Sequence, residues 1–167
     1  MDRSLVFEQG LYAHAKTFIE RCTAARLRIG TAESCTGGLL AALLTEVPGA
    51  AEVFDLGVVS YAYSAKEQIL GVPHQTLEQV GAVSEPVARA MAEGIFQRSA
   101  VDVAVGITGI AGPTGGGEEK PIGTVWIAAG RRGQPIAVRR FQFGNAGRSQ
   151  VRMQSVAAAL EMLEQLL

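Results

Sequence analysis

Apolar residues recur along this chain with two spacings, which predict an alternation of helices and strands. Spacing of three or four residues, with glycine, proline or serine near the ends, is typical of amphipathic helices. Ser64 and Ser84 are placed to cap two of these helices, and Gly71 is placed to end one. The predicted helices cover residues 5–25, 37–45, 65–70, 85–99 and 148–167.

Short runs rich in β-branched residues lie between these helices and predict strands over residues 27–32, 53–61, 101–108, 124–129 and 136–141. The run from Val101 to Thr108 is apolar at nearly every position, which is typical of a central strand buried on both faces. The short turn between the last two runs predicts an antiparallel hairpin. We therefore predict a single domain over residues 1–167, an α/β fold in which a mixed, mostly parallel sheet forms the middle of a three-layer α/β/α sandwich.

Composition narrows the possible partners. The chain has 167 residues, 48% of them apolar, and a formal net charge of −1. No basic surplus is available to neutralise nucleic-acid phosphates, and no apolar run is long enough to span a membrane, so neither partner is expected. The N-terminus lacks a secretory leader pattern, and the two cysteines, Cys22 and Cys35, form no close-spaced pair. These features favour a cytoplasmic protein with free thiols.

The turn that contains Ser34 is the most informative segment, because it follows a predicted strand and opens a helix. Ser34, Cys35 and Thr36 are small nucleophile-capable residues at a point where helix N–H groups lack partners. Gly37 and Gly38 let a ligand approach the backbone closely. We predict a reactive site here, with Thr36, Gly37 and Gly38 in contact with substrate.

Three predicted strands are followed by loops that carry candidate side chains. In open α/β sheets, ligands bind outside the carboxyl ends of the central strands. If the three strands are parallel neighbours, four side chains converge there: Ser34, Tyr61, Lys66 and Thr108.

A serine nucleophile needs a base, and the sequence offers few. His14 and His74 lie away from these loops, so a Ser-His-Asp triad is poorly supported. Lys66 can serve if burial lowers its pKa. The alternatives are that Ser34 is only a helix cap and Lys66 only a solvated helix lysine. Cys35 competes as a nucleophile, although small buried cysteines are usually inert packing residues.

Two further features point to an anionic ligand. The glycine-rich loop over residues 109–121 fits no standard phosphate fingerprint, but its N–H groups, including those of Gly109 and Gly112, can surround an anion. Arg148 begins the last predicted helix and is suited to bind phosphate or carboxylate. The alternatives are a flexible surface loop and a solvated first-turn charge. No cluster has metal-ligand spacing, so no catalytic metal is expected.

Four motifs in order resemble a known family. They are AESCTGG at residues 32–38, GAVSEPV at 81–87, GIAGP at 109–113 and EKPIGTVW at 119–126. Together they look like the CinA C-terminal domain family, with the resemblance running from about Leu11 to the C-terminus. Stand-alone members of that family include nicotinamide-nucleotide amidohydrolases.

The resemblance implies hydrolysis of the carboxamide of nicotinamide mononucleotide (NMN) to nicotinate mononucleotide and ammonia, in pyridine-nucleotide salvage. It implies Ser34 as nucleophile, Lys66 as base, Tyr61 and Thr108 as assisting residues, and Arg148 as the basic residue of the last helix. It also implies a mononucleotide substrate, no cofactor and a homodimer. The alternative is a non-catalytic nucleotide-binding or assembly domain with the same fold, and the four residues Ser34, Lys66, Tyr61 and Thr108 together favour the enzyme.

Overall fold

A computed structural model describes residues 7–167. Its helices and strands, numbered in chain order, are α1 (Gln9–Ala25), β1 (Ile29–Glu33), α2 (Leu39–Thr45), β2 (Phe54–Val59), α3 (Tyr63–Leu70), α4 (His74–Val80), α5 (Glu85–Arg98), β3 (Val103–Gly109), β4 (Thr124–Arg131), β5 (Ala137–Gln142) and α6 (Arg148–Glu164).

The five strands form one sheet in the order β2-β1-β3-β4-β5. Strand β1 pairs in parallel with β2 and β3, whereas the β3–β4 and β4–β5 pairs are antiparallel. Four strands therefore point the same way, and only β4 runs against them. The predicted mixed, mostly parallel sheet is confirmed, as are its central strand β3 and its β4–β5 hairpin.

Helices cover both faces of the sheet, which confirms the α/β sandwich. On one face, α1, α2 and α6 bury residues such as Phe18, Leu43 and Leu160 against alternate positions of β3. On the other, α3, α4 and α5 bury Leu77 and Met91, among others, against the remaining positions. Packing on both faces explains why the predicted central strand is apolar throughout. No helix within residues 7–167 has the length and hydropathy to cross a bilayer.

One helix was not predicted. Residues after Pro73 appeared as a polar stretch, but they form the short helix α4, which buries only Leu77. A helix of seven residues with one buried side chain has too little apolar periodicity to be recognised in the sequence. It packs against α5.

Helix starts also differ in detail from the predictions. Helix α3 begins at Tyr63 with Ala62 as its N-cap, so Ser64 lies inside the helix and the predicted cap is wrong. Ser84 does occupy the N-cap of α5, but its hydroxyl donates to the carbonyl of Gly81. The predicted start of the first helix at residue 5 lies outside the described residues, within which α1 begins at Gln9.

Candidate active site

The parallel part of the sheet brings the candidate loops to one edge. Glu33, the last residue of β1, is in register with Val59 of β2 and Ile107 of β3. The next residue of each strand therefore lies in one lateral row. That row contains Ser60, Ser34 and Thr108, so the predicted convergence of loops occurs at the carboxyl ends of three neighbouring strands.

Ser34 and Lys66 form a buried hydrogen-bonded pair. Lys66 extends from α3 so that its Nζ lies 3.0 Å from Ser34 Oγ. The lysine is 1% exposed and the serine 8% exposed. The pair is therefore shielded from bulk water on most sides, and Lys66 is not the solvated helix lysine that was its alternative.

The surroundings of Lys66 favour its neutral amine. Burial lowers the pKa of Lys66 to about 8. Its Nζ also donates to the carbonyl of Ser60 at 2.6 Å and to the carbonyl of Tyr61 at 3.2 Å. A neutral amine has two hydrogens and one lone pair, so the two carbonyls can take both hydrogens and leave the lone pair for the Ser34 hydroxyl. The geometry suits a general base.

Cys35 has a different environment from Ser34, although it is the next residue. It packs into the core between the sheet and α1, α2 and α6. Burial raises the pKa of its thiol to about 12. A thiol that stays protonated is a poor nucleophile, so the geometry favours Ser34 over Cys35.

Glu33 is a functional candidate that was not predicted from the sequence. It is fully buried, and its carboxylate accepts hydrogen bonds from the N–H groups of Gly38 at 3.1 Å, Leu40 at 3.1 Å and Ala41 at 2.8 Å. The side chain thus caps the start of α2 from the preceding strand and fixes the turn that carries Ser34. The sequence feature that could have identified Glu33 is an acidic residue shortly before a predicted helix start.

This cap limits which backbone groups can contact a substrate. The N–H of Gly38 donates to Glu33, and the N–H of Gly37 donates to the carbonyl of Ser34. Within residues 7–167, the N–H groups of Cys35 and Thr36 donate to no other residue. Any oxyanion donors in this turn are therefore those of Cys35 and Thr36, and the two glycines contribute their positive φ angles of 62° and 92° instead.

The side chains of Tyr61 and Arg148 contact each other, and the Tyr61 backbone contacts Lys66. The guanidinium of Arg148 donates to the Tyr61 hydroxyl at 2.9 Å and to the carbonyl of Gly112 at 2.9 Å. Tyr61 is 59% exposed, and its carbonyl contacts Lys66. Arg148 therefore links the first turn of α6 to the loops that follow β2 and β3.

Thr108 and Gly109 are at the end of β3 but have internal partners. Thr108 is fully buried and donates to the carbonyl of Ala82 at 2.9 Å. A Cβ on Gly109 would lie 2.6 Å from a methyl group of Val125, so this glycine permits close strand packing. Of the two, only Thr108 has a side chain beside Ser34.

A second arginine supports the Ser34 turn and was also missed. Arg152, one helical turn after Arg148, donates to the carbonyl of Thr36 at 2.9 Å. Its Nε and the Thr36 hydroxyl are buried, and neither has a hydrogen-bond partner in the described part of the chain. Such groups commonly bond to ordered water or a ligand. The spacing of four residues from Arg148 was the only sequence signal.

Residues 7–167 contain no group of three or more histidine, cysteine, aspartate or glutamate side chains positioned to hold a metal ion.

Comparison with curated proteins identifies relatives over most of the chain. A CinA-like protein of Anaeromyxobacter sp. (strain Fw109-5) is 48% identical over 163 residues, which are 95% of this chain and 39% of the relative. A CinA-like protein of Akkermansia muciniphila is 60% identical over 107 residues, which are 64% of this chain and 26% of the relative. The chain thus spans about two fifths or less of the length of these relatives.

Solved structures match over nearly their whole length. The competence/damage inducible protein CihA from Agrobacterium tumefaciens superposes with a TM-score of 0.94 at 42% identity, covering 96% of this chain and 98% of that one. A CinA superfamily protein from Escherichia coli gives a TM-score of 0.89 at 36% identity, covering 99% and 96%. The CinA C-terminal domain model matches residues 11–167. With motifs, fold and relatives in agreement, the chain belongs to the CinA C-terminal domain family.

Proposed function

We propose that this protein is an amidohydrolase that uses Ser34 as nucleophile and Lys66 as general base, with NMN as substrate. The observation that carries the proposal is the buried hydrogen bond of 3.0 Å between Lys66 Nζ and Ser34 Oγ. A lysine whose pKa is lowered to about 8 has about a tenth of its amine neutral at pH 7 and about half at pH 8. The substrate is inferred from the family resemblance, because the names of the relatives specify no reaction.

The first half of the reaction forms an ester. Neutral Lys66 accepts the proton of the Ser34 hydroxyl while Oγ attacks the carboxamide carbon. When the tetrahedral intermediate collapses, the C–N bond breaks and the Lys66 ammonium returns the proton to the departing nitrogen. Ammonia leaves, and the nicotinoyl group remains esterified to Ser34.

The second half restores the enzyme. Lys66, neutral again, takes a proton from water as the water oxygen attacks the ester carbon. The C–O bond to Ser34 breaks, the proton passes from Lys66 to Ser34 Oγ, and the carboxylic acid product ionises as it leaves. The free N–H groups of Cys35 and Thr36 are the donors we assign to the oxyanion in both halves.

The proposal is tested by measuring ammonia release from NMN with the purified wild-type protein. We expect stoichiometric formation of nicotinate mononucleotide and ammonia, without added metal or cofactor. Ammonia release that does not exceed the buffer rate would support the non-catalytic nucleotide-binding alternative.

The pH dependence of kcat/KM follows from the pKa of Lys66. Because only the neutral amine accepts the Ser34 proton, activity should rise with pH and level off above about 8. The measurement is kcat/KM for NMN from pH 6 to 10. A rate that falls over this range would contradict a neutral lysine base.

Arg148 is expected to act by positioning. Two of its N–H groups are engaged by the Tyr61 hydroxyl and the Gly112 carbonyl. Bonds to charged donors contribute roughly 1.5–3 kcal/mol each. Arg148→Ala should therefore lower kcat/KM about tenfold or more, and to the same extent for NMN and for its dephosphorylated riboside. Unchanged kinetics would remove Arg148 from the site.

We also expect a homodimer in a reducing, cytoplasmic compartment. Cys22 and Cys35 are both free and buried. The expectation of a dimer rests on the family resemblance alone, and sedimentation analysis of the purified chain tests it.

A further inference from the structure

A cavity of about 570 Å³ is lined by none of the site residues predicted from sequence. Its walls include Val83 and Ser84 before α5, Lys120 before β4, Trp126 on β4 and Arg140 on β5. Its shape and chemistry have no part in the proton transfers described above.

Strand register connects this cavity to the nucleophile. Thr108 is in register with Trp126, and Trp126 is in register with Arg140. Since Ser34 lies beside Thr108, the row Ser34–Thr108–Trp126–Arg140 crosses four strands on one face of the sheet. Neighbouring strands are about 4.8 Å apart, so Trp126 lies about 10 Å from Ser34.

The cavity presents cations that lack acidic partners. Lys120 Nζ donates to the carbonyl of Val80 at 2.6 Å, and Arg140 donates to the carbonyl of Glu119 at 3.0 Å. Neither cation forms a salt bridge with a carboxylate within residues 7–167. Two acidic residues also line the cavity: Arg89 engages the carboxylate of Glu85 at 2.9 Å, and Glu119 forms no salt bridge within residues 7–167.

These features suit a phosphate that is attached to a sugar with an apolar face. Lys120 and Arg140 retain N–H donors for phosphate oxygens, and the half-buried ring of Trp126 offers an apolar surface between them and the nucleophile. Arg148, by contrast, is already anchored by Tyr61 and Gly112.

We propose that this cavity is the subsite for the phosphate end of the substrate, with Lys120 and Arg140 binding the phosphate and Trp126 contacting the ribose. The proposal rests on the proposed function for the identity of the substrate. It makes Arg140 and Lys120 the residues that distinguish a phosphorylated amide from an unphosphorylated one.

Trp126 allows a direct binding test, because it is the only tryptophan of the chain. In a Ser34→Ala background, which leaves the ligand intact, NMN should change tryptophan fluorescence with saturation. Adding Arg140→Ala or Lys120→Ala should weaken NMN binding at least tenfold and change binding of the riboside less than twofold. Arg140→Lys, which keeps the charge, should restore part of the affinity.

Arg139 supplies the matched control. It precedes Arg140 on β5, is also exposed, and points to the opposite face of the sheet. Arg139→Ala should leave NMN affinity within twofold. The subsite would be wrong if the Arg140 and Lys120 variants bound NMN as tightly as the Ser34→Ala parent. It would also be wrong if Arg148→Ala were the only variant to weaken binding of NMN more than binding of the riboside.

The two proposals fail in different ways. If the wild type releases ammonia from NMN but Arg140→Ala keeps the same KM, the subsite is wrong and the activity stands. If no ammonia is released, yet inorganic phosphate changes Trp126 fluorescence in a manner that requires Arg140, the anion site stands and the activity is wrong.

Discussion

Ser34→Ala and Lys66→Ala should each reduce ammonia release from NMN by several orders of magnitude. The two residues act as a unit, because the serine attacks only as its proton passes to the lysine. The hydrogen bond between their side chains and the burial of Lys66 support this coupling. The double variant should therefore be little slower than either single variant, as single-turnover rates will measure.

Cys35→Ala is the control that separates the two adjacent nucleophiles. The Cys35 side chain packs into the core between the sheet and α1, α2 and α6, and the pKa of its thiol is raised to about 12. Its removal should therefore leave most of the activity. A Cys35→Ala protein without activity, together with a Ser34→Ala protein that still turns over, would replace the serine–lysine mechanism with a thiol mechanism. The same variants measured by thermal unfolding exclude loss of folding as the cause.

The sequence was most informative where a pattern has one structural solution. The nearly continuous apolar run of β3 predicts a strand that helices cover on both faces. The helical segments that connect β1, β2 and β3 are long enough for crossover connections, so these strands can pair in parallel, as they do. That topology is what brings Ser34, Lys66 and Thr108 to one edge. The convergence of the loops could therefore be predicted from the sequence, on the condition that the three strands are parallel neighbours.

The sequence could predict neither helix α4 nor the hydrogen-bond partners of individual polar groups. Helix α4 has one buried side chain and no periodicity to reveal it. The orientation of Glu33 towards α2 depends on the pleat of β1, and the engagement of Arg148 depends on distant loops. The cavity beside Trp126 arises from residues far apart in the chain, which come together through strand register.

Glu33→Ala should destabilise the protein by about 3 kcal/mol or more and reduce turnover at least a hundredfold. Removing the carboxylate leaves the N–H groups of Gly38, Leu40 and Ala41 without their acceptor in a buried site, and each unsatisfied group costs roughly 1–3 kcal/mol. The turn that carries Ser34 is then no longer fixed against Lys66. Urea unfolding measures the first effect, and kcat well below the variant's melting temperature measures the second.

Glu33→Gln tests whether the carboxylate itself is required. Both oxygens of Glu33 accept hydrogen bonds, so either orientation of a glutamine amide places an NH2 group against a backbone donor. We therefore expect the isosteric variant to lose stability and turnover nearly as much as Glu33→Ala. The exposed Glu52, replaced by alanine, should unfold like the wild type. Wild-type stability of Glu33→Gln would mean that shape rather than charge supports the turn, and would contradict the role assigned to this residue.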